Sequence, residues 1–188
     1  MRAARRCAFI LLSALPLLLT SGCGGGPPAA TPLLHSPYLV SRDGNLRYRL
    51  PAGWFDATAD SQASTRTVWL VRSDYAGTLT VREVHVDVAA RKEITKQGLL
   101  HIARLTAGLQ TGSAPGAFAR EPETVRVNGR DGCVYEVDGV AGDRVRTILM
   151  DTGEHLYAIT ALVNGGAAGG AIGDVYAVQQ AFVNALRW

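Results

Sequence analysis

Apolar and polar side chains alternate first between Asn45 and Leu50. Leu46, Tyr48 and Leu50 fall on one face and Asn45, Arg47 and Arg49 on the other, the period of a half-buried strand. Arg42-Asp43-Gly44-Asn45 ahead of it is turn chemistry, and Pro51-Ala52-Gly53-Trp54 ends it. Thr67–Arg72 reads as a second strand, apolar on both faces, and Leu79–Val88 as a third. In the third, Val84, Val86 and Val88 share a face while Glu83, His85 and Asp87 point the other way. Leu79 and Val81 are out of phase with those valines, which predicts a bulge near Arg82.

The period then lengthens. Ile94, Ile102, Leu105 and Leu109 lie on one helical stripe, with Gly98 and His101 nearby, and Lys92, Glu93, Lys96 and Arg104 lie mostly off it. The spacing predicts one long amphipathic helix over Ala89–Leu109, packed on a sheet. Gly112–Pro122 reads as a loop. Glu123–Val127 and Cys133–Val137 are strands joined through Asn128-Gly129-Arg130-Asp131-Gly132, a strong hairpin signal. Arg144–Asp151 and Leu156–Val163 form a second hairpin turning at Thr152-Gly153-Glu154. Gly165–Gly173 is a Gly/Ala-rich stretch that reads as a flexible loop or flap. The chain closes in a helix over Asp174–Trp188, with Asp174 as N-cap and Val175, Val178, Phe182, Ala185 and Leu186 on its apolar face. Hairpin connections mean a mainly antiparallel sheet with helices against it, an α+β fold.

The N-terminus obeys neither period. Arg2, Arg5 and Arg6 stand without an acid, and Cys7–Leu19 is apolar but for Ser13 and Pro16. That run is short of the ~20 apolar residues a spanning helix needs. A charged head, a short apolar core and small residues describe a secretory signal over residues 1–22. Thr20-Ser21-Gly22 leads into Cys23, and this resembles the lipobox of bacterial lipoproteins, with Thr20 where leucine is usual and Leu19 one step further out. The resemblance implies cleavage before Cys23 and lipidation of its thiol. Ordinary signal-peptidase cleavage with Cys23 left free is the alternative. Residues 23–37 read as a tether, because Gly24–Pro32 is a Gly/Pro/Ala run that cannot bury apolar surface. The domain is then expected over 38–188, a length typical of one domain.

Export changes the charge. The chain carries 19 Lys and Arg against 16 Asp and Glu, so removing Arg2, Arg5 and Arg6 leaves 16 against 16. A near-neutral domain gives no argument for nucleic-acid binding. Cys7 leaves with the signal and Cys23 is the lipid acceptor, so only Cys133 is left as a free thiol. Its alternation with Tyr135 and Val137 places it on a core face, with Val134, Glu136 and Asp138 toward water, as a packing residue rather than a nucleophile.

Several segments resemble a known family. Leu46-Arg47-Tyr48-Arg49-Leu50-Pro51-Ala52-Gly53-Trp54 is similar to the opening strand and Pro-x-Gly-Trp of the PsbP-like (PsbP/Mog-type) α/β/α sandwich. Val127-Asn128-Gly129-Arg130 resembles its turn, Leu156–Ala161 its penultimate strand and Gln180–Leu186 its closing helix. The resemblance covers most of residues 38–188 and implies a PsbP-like α/β/α sandwich. It also implies a small, non-enzymatic exported protein with no shared catalytic residues. Plant members assist the oxygen-evolving complex and others bind protein partners; no residue here assigns either role.

Candidate chemistry is sparse. Glu83, His85 and Asp87 are potential zinc or manganese ligands by residue type, and the competing reading is a solvated strand face. Glu154-His155 reads as turn chemistry, His101 as a packing histidine, and His35 as part of the tether. Gly-x-Ser-x-Gly, His-Glu-x-x-His and Cys-x-x-Cys are absent from the sequence, and Gly165–Gly173 lacks the Lys-Ser/Thr of a phosphate loop. No cofactor is expected. Two function classes follow. One is a lipid-anchored, non-enzymatic module presenting a surface to an envelope protein partner. The other is a small-ligand or metal-binding lipoprotein using the Glu83/His85/Asp87 face or a cleft under Gly165–Gly173. Residue Gly24, not aspartate, follows Cys23, which favours the periplasmic face of the outer membrane where two membranes exist.

Overall fold

A computed structural model describes residues 33–62, 66–110, 118–139, 142–167 and 170–188. The signal, Cys23 and the Gly24–Pro32 run lie outside the described residues. Two strands open the fold, β1 (Leu34–Val40) and β2 (Arg47–Pro51), paired antiparallel. They are followed by β3 (Trp54–Asp56), β4 (Arg66–Arg72) and β5 (Gly77–Val84), then helices α1 (Val88–Gln97) and α2 (Leu99–Gln110). The chain returns as β6 (Phe118–Val127), β7 (Arg130–Asp138), β8 (Arg144–Asp151) and β9 (Leu156–Val163), and ends in α3 (Gly170–Ala185). The main sheet has seven strands in the order β3-β4-β5-β9-β8-β7-β6, and every neighbouring pair is antiparallel.

The helices cover both faces of this sheet. On one face Val175, Val178 and Phe182 of α3 pack on Tyr157, Ile159 and Ala161 of β9, joined by Leu46 and Tyr48 beside and within β2. On the other, Ala103 and Ala107 of α2 pack on Cys133, Tyr135, Leu149 and Ala158. Alanines at the contact let the α2 backbone lie close to the sheet. Covering on both faces explains why Leu156–Val163 is a nearly continuous apolar run. The α+β class, mainly antiparallel with helices packed on the sheet, is therefore the observed one.

Both hairpins of the meander form. Asn128 (φ 52°) and Gly129 (φ 79°) make the two-residue turn between β6 and β7, the left-handed pair such a turn demands. β8 and β9 have the bounds that alternation gives them. The differences from the sequence reading have local causes. Asp131 and Gly132 lie inside β7, not in the turn. A Cβ on Gly132 would stand 2.6 Å from Met150 Sδ, so glycine serves there for close packing. The expected loop at Gly112–Pro122 gives way to β6 at Phe118, and residues 111–117 are outside the described ones. The expected single helix is two, because Gly98 adopts φ 76° and breaks the ladder. The rotation of stripe that follows leaves Leu105 55% exposed while Ala103 and Ala107 are buried.

The third strand ends at Val84 rather than Val88. Asp87 is the N-cap of α1, accepting from Ala90 N at 2.7 Å, and the helix it starts takes Val88 to 75% exposed. The bulge opposite Arg82 is in β4, where register shifts between Arg66 and Val68. α3 begins at Gly170, so Asp174 is inside it and not its cap; Ala171, Val175, Val178 and Phe182 continue one apolar stripe through the glycines. Of the stretch Gly165–Gly173, residues 168 and 169 are outside the described ones. Its start is pinned by Gly165 N donating to Asp143 Oδ1 at 2.8 Å. Leu34–Pro37, assigned to the tether by composition, form the first half of β1.

Trp54, Tyr135, Tyr157 and Phe182 are buried as alternation implies, whereas Trp69 is half-buried. Phe182 is fully buried, with its ring centroid 6.0 Å from that of Tyr48. Truncation in Phe182→Ala is predicted to destabilise the fold by roughly 3–5 kcal/mol. A loss under about 1 kcal/mol in urea melts would show that α3 does not hold the sheet to the β1–β2 hairpin.

Candidate functional site

The end of the sheet at which β9 begins carries a cleft of about 340 Å³. It is lined by Asn45, Arg130, Thr152, Glu154, His155, Tyr157 and Trp188. Five separate parts of the chain supply these residues: the turn before β2, the start of β7, the β8–β9 turn, β9 itself, and the segment after α3. Each is fixed by backbone chemistry. Thr152 Oγ1 accepts from His155 N and donates to His155 O, both at 3.0 Å, which closes the β8–β9 turn. Arg91 of α1 reaches that turn from below, meeting Asp151 at 2.8 Å and the Glu154 carbonyl at 3.4 Å. Arg47 and Arg187 exchange backbone hydrogen bonds, 2.9 and 3.0 Å, and so bring the segment after α3 alongside β2.

The floor is aromatic. Trp188 stacks on Tyr157 with ring centroids 5.0 Å apart, and His155 stands 5.8 Å from Tyr157. His155 Nδ1 meets Glu83 Oε1 at 2.7 Å, which fixes the imidazole plane. Burial, with the negative charges of Asp43 and Glu83, pushes the Tyr157 phenol up to about 12, so it stays a neutral hydrogen-bond donor. Trp188 Nε1 is buried without a hydrogen-bond partner. Arg130 sits at the rim, donating to the Thr152 carbonyl at 3.1 Å. An aromatic floor with a charged rim suits binding. The Thr152 hydroxyl is committed to its own turn.

The sequence-derived candidates separate. Glu83 is at the end of β5 and pairs with His155; His85 is exposed in the loop that follows; Asp87 caps α1. They do not form one polar strand face, because the strand stops before His85. Among the described residues, no three His, Cys, Asp or Glu side chains are placed to hold a metal ion. His101 is half-buried on α2. The cleft itself was missed, although Glu154-His155, read as turn chemistry, lies in it. The tryptophan of Leu186-Arg187-Trp188 was the one further signal.

Cys133 is fully buried and free, on the face with Tyr135 and Val137. The opposite face is no solvated one, for Val134 is buried beneath α3. A seven-stranded sheet covered on both sides gives its inner strands two core faces. Burial pushes the Cys133 thiol up to about 11. Native Cys133 is therefore predicted to react slowly with a thiol reagent at pH 8 and fast after unfolding. The folded thiol ionises later than the ~8.5 of an unfolded one. Its stabilising contribution is complete below that pH and falls as pH rises to about 11, by roughly 1.4 kcal/mol per pH unit. Denaturant melts of Cys133→Ala are expected to lack that part of the alkaline slope. Fast native labelling would contradict the packing role.

No protein family and no curated protein matches the chain. Solved structures do. The Ran-binding protein Mog1p of Saccharomyces cerevisiae is similar at a TM-score of 0.55 and 13% identity, over 82% of this chain and 95% of that one. Cyanobacterial PsbP (CyanoP) from Synechocystis is similar at 0.52 and 10% identity, over 88% of this chain and 98% of its own. A protein of Bacteroides thetaiotaomicron is similar at 0.51 and 10% identity, over 81% of this chain and 48% of that one. The fold is accordingly the Mog1/PsbP-type α/β/α sandwich that the sequence resemblance implied.

Proposed function

We propose that the chain is an exported lipoprotein, held to a membrane through Cys23, whose α/β/α domain is a non-enzymatic module that binds an envelope protein partner. The observation that carries the binding role is the cleft at the start of β9. Its floor is made of the Trp188, Tyr157 and His155 rings, with Arg130 at the rim. Tyrosine, tryptophan and arginine are the residue types that anchor protein interfaces. The fold is one that Mog1p, a Ran-binding protein, also uses. The anchor rests on the N-terminal sequence: Arg2, Arg5 and Arg6, the apolar run and Cys23. Gly24 after that cysteine favours, in a two-membrane envelope, the periplasmic face of the outer membrane. The Glu83/His85/Asp87 face is not carried forward as a metal or ligand site, because Glu83 and Asp87 are each engaged elsewhere; the cleft under Gly165–Gly173 includes residues outside the described ones.

One experiment tests both halves. Cells expressing the chain are labelled with a radioactive fatty acid, and the protein is captured with its partners after crosslinking. Wild type is expected to take up label and to retain a discrete partner. Cys23→Ser is expected to lose the label; incorporation that persists there would exclude Cys23 as acceptor. Arg130→Glu is expected to keep the label and lose the partner, while Lys92→Glu on α1 keeps both. Equal capture by wild type and Arg130→Glu would remove the cleft from recognition.

A further inference from the structure

The β1–β2 hairpin turns an unusual surface outward. Its pairing sets Tyr38 across from Arg49 and Val40 across from Arg47, while Leu39 and Tyr48 face the core. Tyr38 is 38% exposed and Val40 60%. Leu33, where the chain enters the fold, is 47% exposed. Arg187 joins this face, its guanidinium carbon 4.2 Å from the centre of the Tyr38 ring. Arg42 follows at the end of β1.

Several arginines elsewhere in the molecule are paired. Arg120, Arg126, Arg144 and Arg146 each have a carboxylate within 4.0 Å. Arg42, Arg47, Arg49 and Arg187 form no ion pair among the described residues. Arg49 instead donates to the carbonyls of Ser36 and Leu34, and Arg42 to that of Ser61. The nearest acids, the carboxylates of Asp43 and Asp56, still count toward the charge of this face and are held by hydrogen bonds of their own. Asp43 accepts from Ser41 Oγ and Asn45 N in the turn before β2, and Asp56 accepts the Tyr48 hydroxyl. A domain neutral in sum thus gathers four arginines against two carboxylates, Asp43 and Asp56, with exposed apolar and aromatic groups, on and beside one two-stranded patch.

We propose that this face docks the domain on an anionic phospholipid surface. The inference rests on the lipid anchor of the proposed function, and chain length supports it. The eleven residue steps from Cys23 to Leu34 span at most about 40 Å fully extended, and they end on this hairpin, so the anchor holds this part of the domain within reach of the bilayer. Arginine and tyrosine beside exposed aliphatic groups is the chemistry of the headgroup layer: cations meet lipid phosphates, the amphipathic ring sits at the interface and the aliphatic chains enter its apolar edge.

The test uses the processed chain from residue 23 onward with Cys23→Ser, so that binding does not depend on acylation. The compact unit, Pro32–Trp188, is retained whole, and thermal melts confirm that each variant is folded. Sedimentation with vesicles of phosphatidylglycerol and phosphatidylcholine is expected to capture it at low salt, and pure phosphatidylcholine is not. Arg47→Gln with Arg187→Gln should lower partitioning roughly tenfold or more, and 0.5 M salt should do the same. Lys92→Gln with Lys96→Gln, an equal charge loss on α1, should leave it unchanged. Absence of binding to the anionic vesicles, as expected of a face that recognises an acidic protein instead, would overturn the proposal. Equal losses in the two double variants would overturn it as well. Neither result bears on fatty-acid incorporation at Cys23, so anchor and docking face fail separately.

Discussion

Strand β9 is hydrogen-bonded along its whole length on both sides, from Leu156 to Val163, to β5 on one flank and β8 on the other. Everything else is placed by that double pairing. The chain leaves the sheet after β5, crosses through α1 and α2, enters again at the far edge as β6 and works inward strand by strand. Within the sheet, β9 is the strand that joins the two halves. Its alternate side chains then feed two cores, Tyr157, Ile159 and Ala161 beneath α3 and Ala158 facing α2. The pairing of β5 with β9 is distant in sequence and is entropically expensive to form, so the apolar rows on both faces must offset it.

The same strand sets the cleft. His155 and Tyr157 flank its first residue, and antiparallel register brings Glu83 to Tyr157 across β5. The Glu83–His155 pair is thus a consequence of register, as is the gathering of Arg130 and Thr152 at one sheet end. Edges are handled differently. β6, ten residues long, carries Arg120, Glu121, Pro122 and Glu123 along its outer run, a composition that blocks further strand addition. β3 is only three residues long.

Legibility in the sequence followed how local each cause was. The β8–β9 hairpin was readable to the residue, because alternation and a Gly-containing turn agree within twenty residues. The turn at Asn128-Gly129 was equally plain. The helix break at Gly98 was not, since one glycine in an amphipathic run is compatible with continuity until its φ is known. Asp87 was misread for a physical reason: a capping aspartate and a solvent-facing strand aspartate look alike when valines alternate around them. Cys133 was placed on the correct core face, but its neighbour Val134 was given to water, because alternation alone does not report that a second helix layer covers the sheet. The cleft was beyond local reading, being assembled from Asn45, Arg130, His155, Tyr157 and Trp188, which the sheet pairing and the Arg47–Arg187 backbone bonds together bring to one place.

Native-state hydrogen exchange, resolved by residue, tests the central role of β9 most directly. If β9 joins the two halves, the amides of Tyr157 to Leu162 and their partners in β5 and β8 should exchange only through global unfolding, with a free energy equal to that from denaturant melts. The β1–β2 hairpin and α1 should open at lower free energy. Amides of β9 that exchange well before those of the β6–β7 hairpin would contradict the account.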